Sequence, residues 1–175
     1  MELLKGFPIQ KYLDKKPPSD NSTTTKGEVK ELTKLPIREK FIKEKDKIKK
    51  SFEGIVGKEP MIQKLINESA PIIMKIKKHH NRPRPKVIAK KIKTKMEDME
   101  MASMKTPSYP SGHSVQGVLI ANALADKYPN KRSKLKKMGR DISYSRRSAR
   151  AHYKSDSLFG EQIGKDMYNY IKSKI

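Results

Sequence analysis

Apolar residues in this chain recur three and four positions apart, and no stretch alternates apolar and polar residues with the period of two that a strand needs. That pattern leaves helices as the means of building a core. From Leu35 onward, Ile37, Phe41, Ile48, Phe52 and Ile55 fall at near-helical spacing between Lys and Glu, and Gly54 and Gly57 mark an ending. Ile62, Leu65, Ile66, Ile72, Ile73 and Ile76 predict one or two helices between about Glu59 and Lys78, interrupted around Ser69 and Pro71. Pro83 and Pro85 predict an extended segment over His79 to Lys86, Val87 to Lys95 reads as a short basic helix, and Pro107 and Pro110 predict a second extended stretch. Glu97 to Lys105, rich in Met, fits no single pattern. An apolar helix covers Val115 to Ala125 and stops before Pro129. Leu135, Met138, Ile142, Ser145 and Ala149 share one face of the next helix; Leu158, Phe159, Ile163, Met167, Tyr170 and Ile171 mark the last. With 175 residues there is chain enough for one core. The expectation is an all-α, single-domain helical bundle over residues 31–175. Residues 1–30 read as an N-terminal arm or linker, because Pro17, Pro18 and the polar run Ser19 to Thr25 offer little to order it.

Charge narrows the partners. Lys and Arg number 41 against 19 Asp and Glu, a formal net charge of +22. Such an excess attracts polyanions without specificity and suits an anionic ligand. No window approaches the roughly 18–20 apolar residues of a membrane helix; the most apolar stretch, Val115 to Ala125, is short and contains Gln116 and Asn122. Met1 to Pro8 lacks the basic start, apolar run and small-residue cleavage site of a signal peptide. The expected location is therefore the cytoplasm, that of the host if the source is viral. There is no cysteine, hence no disulfide framework and no thiolate chemistry. The four histidines show no zinc-site spacing with a carboxylate, so no metal site and no resident cofactor are expected.

Three segments carry chemistry. In Ser145-Arg146-x5-His152-x3-Asp156, a His and an Asp four apart would share a helical face. The carboxylate can then accept a proton from one imidazole nitrogen and leave the other free to attack. In Tyr109-Pro110-Ser111-Gly112-His113, Ser111 and Gly112 stand where a helix begins, and the unpaired amides and positive dipole end of such a start suit phosphate. In Lys77-Lys78-His79-His80-Asn81-Arg82-Pro83-Arg84-Pro85, Arg84 offers a planar fork for phosphate oxygens and Lys77 a point charge, on a backbone stiffened by proline. Taken singly, each has an ordinary reading: a stabilising ion pair, a capped helix start, a basic surface stretch. Four specified residues at about 5% frequency each arise roughly once per 10⁵ starting points. Two such patterns in order, plus the basic one, are not a coincidence of composition.

The combination resembles the signature of the type 2 phosphatidic acid phosphatase and vanadium haloperoxidase superfamily: Lys-x6-Arg-Pro, then Pro-Ser-Gly-His, then Ser-Arg-x5-His-x3-Asp. It covers about Lys75 to Gly164. The run Ser108 to Ser114 and the stretch His152-Tyr153-Lys154-Ser155-Asp156 are most similar to the soluble bacterial class A acid phosphatases. The resemblance implies their helical bundle and a metal-independent phosphatase that hydrolyses phosphate monoesters through a phosphohistidine. His152 would be the nucleophile, His113 the general acid and Asp156 the residue orienting His152. Lys77, Arg84, Ser111, Gly112 and Arg146 would bind phosphate. Lys75 with Arg82-Pro83 satisfies the first motif's spacing as well as Lys77 with Arg84-Pro85; the second register is preferred, with Arg82 expected at the substrate mouth. Many relatives have glycine where this chain has Arg150, which would crowd the pocket, change the backbone there or add a substrate-binding cation at the mouth. The expected partner is a small phosphorylated substrate, with vanadate or phosphate able to occupy the site. Oligomeric state is open, a homodimer included. Two alternatives stand beside the phosphatase: a vanadium-dependent haloperoxidase using the same residues, and a basic protein binding nucleic acid or a membrane surface around a vestigial site.

Overall fold

The most apolar helix becomes the centre of the molecule. In the computed structural model, which describes residues 1–175, α7 (Gly112–Lys127) buries Val115, Leu119, Ile120, Ala123 and Leu124. It is covered on several sides, by α5 (Pro60–His80), α8 (Arg132–Ser148) and α9 (Lys154–Ile171), with α8 and α9 making its most extensive contacts. There are nine α-helices and no strand, as the periodicity requires. No helix is long and apolar enough to cross a membrane.

Close helix approach depends on glycine. A Cβ added at Gly139 would lie 2.8 Å from the carbonyl oxygen of Gly117, and one added at Gly160 would lie 2.5 Å from that of Ser111 and 2.9 Å from Ser114 Cβ. The second contact lets α9 press against the start of α7, which brings two of the three signature segments together.

Several elements differ from the sequence expectation for identifiable reasons. The segment from Glu59 is one helix, α5, with Pro71 inside it; Gln116 on α7 donates to the Ile66 carbonyl and to Ser69 near the disturbed turn. The helix runs on to His80 and stops at Asn81, whose left-handed backbone (φ 48°) caps it. The short basic helix α6 (Pro85–Lys91) starts earlier than expected because Pro85 occupies its first position, where a missing N–H costs nothing. The pattern from Leu35 divides into α3 (Glu39–Asp46) and α4 (Ile48–Val56), broken at Lys47 (φ −91°, ψ 82°).

Residues 1–30 are folded onto the bundle rather than standing off as an arm. Leu3, Leu4, Phe7 and Tyr12 are buried in the main core, and Tyr12, in α1 (Gln10–Asp14), donates to Asp166 on α9. Helix α2 (Thr23–Thr33) is capped by Ser22 and buries Thr25, Val29 and Leu32. Apolar residues placed at wide intervals among lysines and prolines order this region through tertiary contact, not through local pattern.

Candidate active site

Asp156 shows how sequence spacing becomes geometry. Sequence analysis places His152 and Asp156 on one helical face; instead His152 lies in the loop before α9. Asp156 is the third residue of the helix, where its carboxylate accepts from the Tyr153 amide at 3.0 Å in a capping box. The same oxygen, Oδ2, lies 3.1 Å from His152 Nδ1 and also accepts from Ser108 Oγ. The carboxylate that caps the helix is thus also in hydrogen-bonding contact with the imidazole.

The His152 tautomer follows from its partners. Nε2 stands 3.0 Å from Arg84 Nη1, and a guanidinium can only donate. Nε2 must therefore be the acceptor, and Nδ1 carries the proton toward Asp156. Burial, together with Arg84, Lys77, Arg146 and His113, holds His152 well below its ordinary pKa, so the ring stays neutral with its lone pair at Nε2. Burial also pushes the Asp156 carboxyl up to about 6, against the pull of Arg82 and the donors around it.

Arg84 is the cation at this nitrogen, and Lys77 and Arg146 lie near enough to help lower the His152 pKa. Arg84 is anchored by the carbonyls of Ser103, Thr106 and Ala151. Lys77, nearly fully buried, donates to Thr106 Oγ1 at 3.0 Å, and Arg84 Nη2 reaches the same hydroxyl at 3.1 Å. Burial and the neighbouring Arg84 lower the Lys77 ammonium to about 7. Arg146 donates to Ser103 Oγ and Asp46 Oδ1, while its Nε is a buried donor with no acceptor in the protein. Lys75 is exposed on the other side of α5, whereas Lys77 is buried beside Arg84.

The start of α7 completes the ring. Ser111 is its N-cap: its Oγ accepts from Ser114 and its own amide donates to the Asp156 carbonyl at 3.1 Å. The amides of Gly112 and His113 occupy the first two helical positions and have no intrahelical acceptor. Gly112 lies against Lys77, whose Cε would be 3.9 Å from a Cβ added there. His113 Nε2 is 3.0 Å from the Asp46 carbonyl and 3.1 Å from its carboxylate, which also binds Arg146 at 3.1 Å. Hydrogen bonds and charge interactions thus link Lys77, Arg84, His113, Arg146, His152 and Asp156, with Gly112 lying against Lys77.

Two expected members are elsewhere. Arg82 is not at the substrate mouth but behind Asp156, pairing with its Oδ1 at 2.8 Å, stacking 3.7 Å from the Tyr153 ring centre and reaching Glu28 and Thr25 on α2. A buried carboxylate needs a countercharge, and Arg82 supplies it. Arg150 is not a mouth residue either: its guanidinium donates to the carbonyls of Glu97, Thr33 and Leu35. Its backbone is left-handed (φ 58°), the conformation that glycine adopts without strain.

Asp46, Ser103, Thr106, Ser108 and Glu28 touch the site and carried no sequence signal as site residues. Only Ser108 adjoins a motif. Asp46 sits unmarked in Lys43-Glu44-Lys45-Asp46-Lys47, and Ser103 and Thr106 belong to the irregular stretch before Pro107. No group of three or more His, Asp or Glu side chains is arranged to hold a metal ion.

An all-helical bundle in which a neutral imidazole stands beside Arg84, near Lys77, Arg146 and the start of α7, is an arrangement suited to holding an oxyanion. The sequence matches the model of the PAP2 superfamily over residues 63–165, more than half of the chain, and the protein belongs to that superfamily. It is 35% identical over 88 residues to a non-specific acid phosphatase of Salmonella typhimurium and 34% identical over 88 residues to one of Salmonella typhi. In both cases the match takes in 50% of this chain and 35% of the relative, so the chain spans about a third of their length.

Proposed function

We propose that this protein is a phosphatase that hydrolyses small phosphate monoesters through a phosphohistidine at His152, without a metal ion. The observation that carries the reading is the His152 imidazole held neutral, with Nε2 as the lone-pair nitrogen, amid Lys77, Arg84 and Arg146. Phosphate oxygens would take the donors of those three residues and the amides of Gly112 and His113. Fixed positive groups in a water-poor site then stabilise the charge of the transition state. His113 would protonate the leaving alcohol and afterwards deprotonate water. Burial and Arg146 lower the His113 pKa, so its acid form grows as pH falls, which favours an acidic optimum.

A cavity of about 580 Å³ beside Arg84, bordered by Val87, Met101, Met104 and Lys90, offers room for an organic group. The net charge of +22 would steer anionic substrates inward and gather polyanions on the surface. The test is a panel of phosphate esters assayed with and without chelator, for the wild type and His152→Ala. Chelator-resistant turnover that vanishes in His152→Ala supports the reading. Full activity in His152→Ala removes it, and bromide oxidation by peroxide with vanadate, in place of ester hydrolysis, would replace it with a haloperoxidase.

A further inference from the structure

Resting on the reading of His113 as general acid, we propose that Asp46 is a positioning residue that fixes the His113 ring with Nε2 anchored and Nδ1 as the nitrogen that exchanges protons with substrate. Asp46 comes from the end of α3, outside the three signature segments and outside residues 63–165. The break at Lys47 leaves the Asp46 carbonyl without a helical donor. That carbonyl and the carboxylate Oδ1 both face His113 Nε2, at 3.0 and 3.1 Å. Two acceptors on one ring nitrogen require it to be protonated in the neutral and charged forms alike. Proton exchange is thereby confined to Nδ1, which makes no hydrogen bond within the protein. Asp46 Oδ1 also takes a donor of Arg146, so one carboxylate joins the acid to a phosphate-binding cation.

The proton balance is complete. The Nε2 lone pair of His152 forms the N–P bond as the P–O bond to the alcohol breaks, and the departing oxygen takes the Nδ1 proton of His113. His113 is left neutral with Nε2–H on Asp46. Water then gives a proton to Nδ1 as its oxygen bonds phosphorus and the N–P bond breaks. This releases phosphate, neutral His152 and protonated His113. The charged and titratable groups facing His113 are Asp46 from α3, Arg146 from α8, the neutral His152 from the loop before α9, and Lys47, Lys49 and Lys50, which line the same cavity beside it. Asp46 is the acid that opposes them there.

The test compares Asp46→Asn, Asp46→Ala and Asp46→Glu on an alkyl phosphate, whose alkoxide needs a proton, and on a nitrophenyl phosphate, whose leaving group does not. The Asp46 side chain is 37% exposed, and thermal melts establish that the variants fold. Asp46→Asn and Asp46→Ala are expected to lose about 10–100-fold in kcat on the alkyl ester and only a few-fold on the aryl ester. The alkaline limb of the pH profile should move to lower pH, and KM should hold or fall as Arg146 is released to substrate. Asp46→Glu should recover part of kcat. Equal losses on both esters with an unmoved pH limb would overturn the proposal. A wild type that hydrolyses neither ester would instead remove the phosphatase reading beneath it.

Discussion

On the proposed reading, Lys77 makes anion binding dependent on pH in a window where few other groups titrate. In the free protein, burial and Arg84 lower its ammonium to about 7 from an ordinary 10.5. A bound dianion favours the charged ammonium, so above pH 7 binding must draw a proton from solvent. Each pH unit then weakens binding tenfold, or about 1.4 kcal/mol, and the rise from pH 7.5 to 9.5 weakens it about 100-fold. Sulfate is the suitable probe because its charge is constant over that range. His113 and His152 are both shifted downward and titrate on the acid side, while Arg84, lowered to about 10, is still charged. Isothermal titration of sulfate at fixed ionic strength should give log Kd rising with unit slope from pH 7.5 to 9.5, with uptake of one proton. Lys77→Met should bind more weakly with no slope. Stability of the sulfate-free protein runs the other way. The unfolded chain holds the Lys77 proton up to about 10.5, so this residue's contribution to stability rises as pH climbs from about 7 to 10.5 and is lost on acidification through 7. A flat log Kd in the wild type, or the same slope in Lys77→Met, would refute the coupling.

Two further substitutions probe the supports of the pocket. Asp156→Asn leaves Arg82 buried beside a neutral amide; urea denaturation should show about 3–5 kcal/mol of lost stability. Turnover should fall by roughly 10³–10⁴ because the His152 tautomer is no longer fixed. Gly160→Ala places a methyl 2.5 Å from the Ser111 carbonyl. The helix-propensity gain of about 0.5–1 kcal/mol is outweighed by overpacking of about 1–3 kcal/mol, so the thermal midpoint should drop and kcat with it as the α7 start shifts.

The readable parts of this molecule are those in which function and local backbone coincide. Ser111 and Gly112 begin α7, Asp156 caps α9 and Lys77 lies in the last turn of α5, so each of these groups has a fixed place in a short run of sequence. The central helices were legible for the same reason, their apolar faces being periodic. What was not legible depends on distant partners. Arg82 could be assigned to the mouth or to the layer behind Asp156 only by knowing where α2 brings Glu28. For Arg150 the sequence leaves a crowded pocket, a changed backbone and an added cation as alternatives, because a left-handed backbone has no signature in a side chain. The burial of Leu3, Leu4 and Phe7 depends on a surface built by α5 and α9 much later in the chain.

The decisive measurement is capture of the covalent intermediate. Wild-type protein would be mixed with a nitrophenyl phosphate, quenched in alkali within the first turnovers and analysed by peptide mass spectrometry. One phosphoryl group on the His152 imidazole, absent from His152→Ala, is the expected result; steady turnover with no phosphoryl group on that ring, retained in His152→Ala, would contradict it.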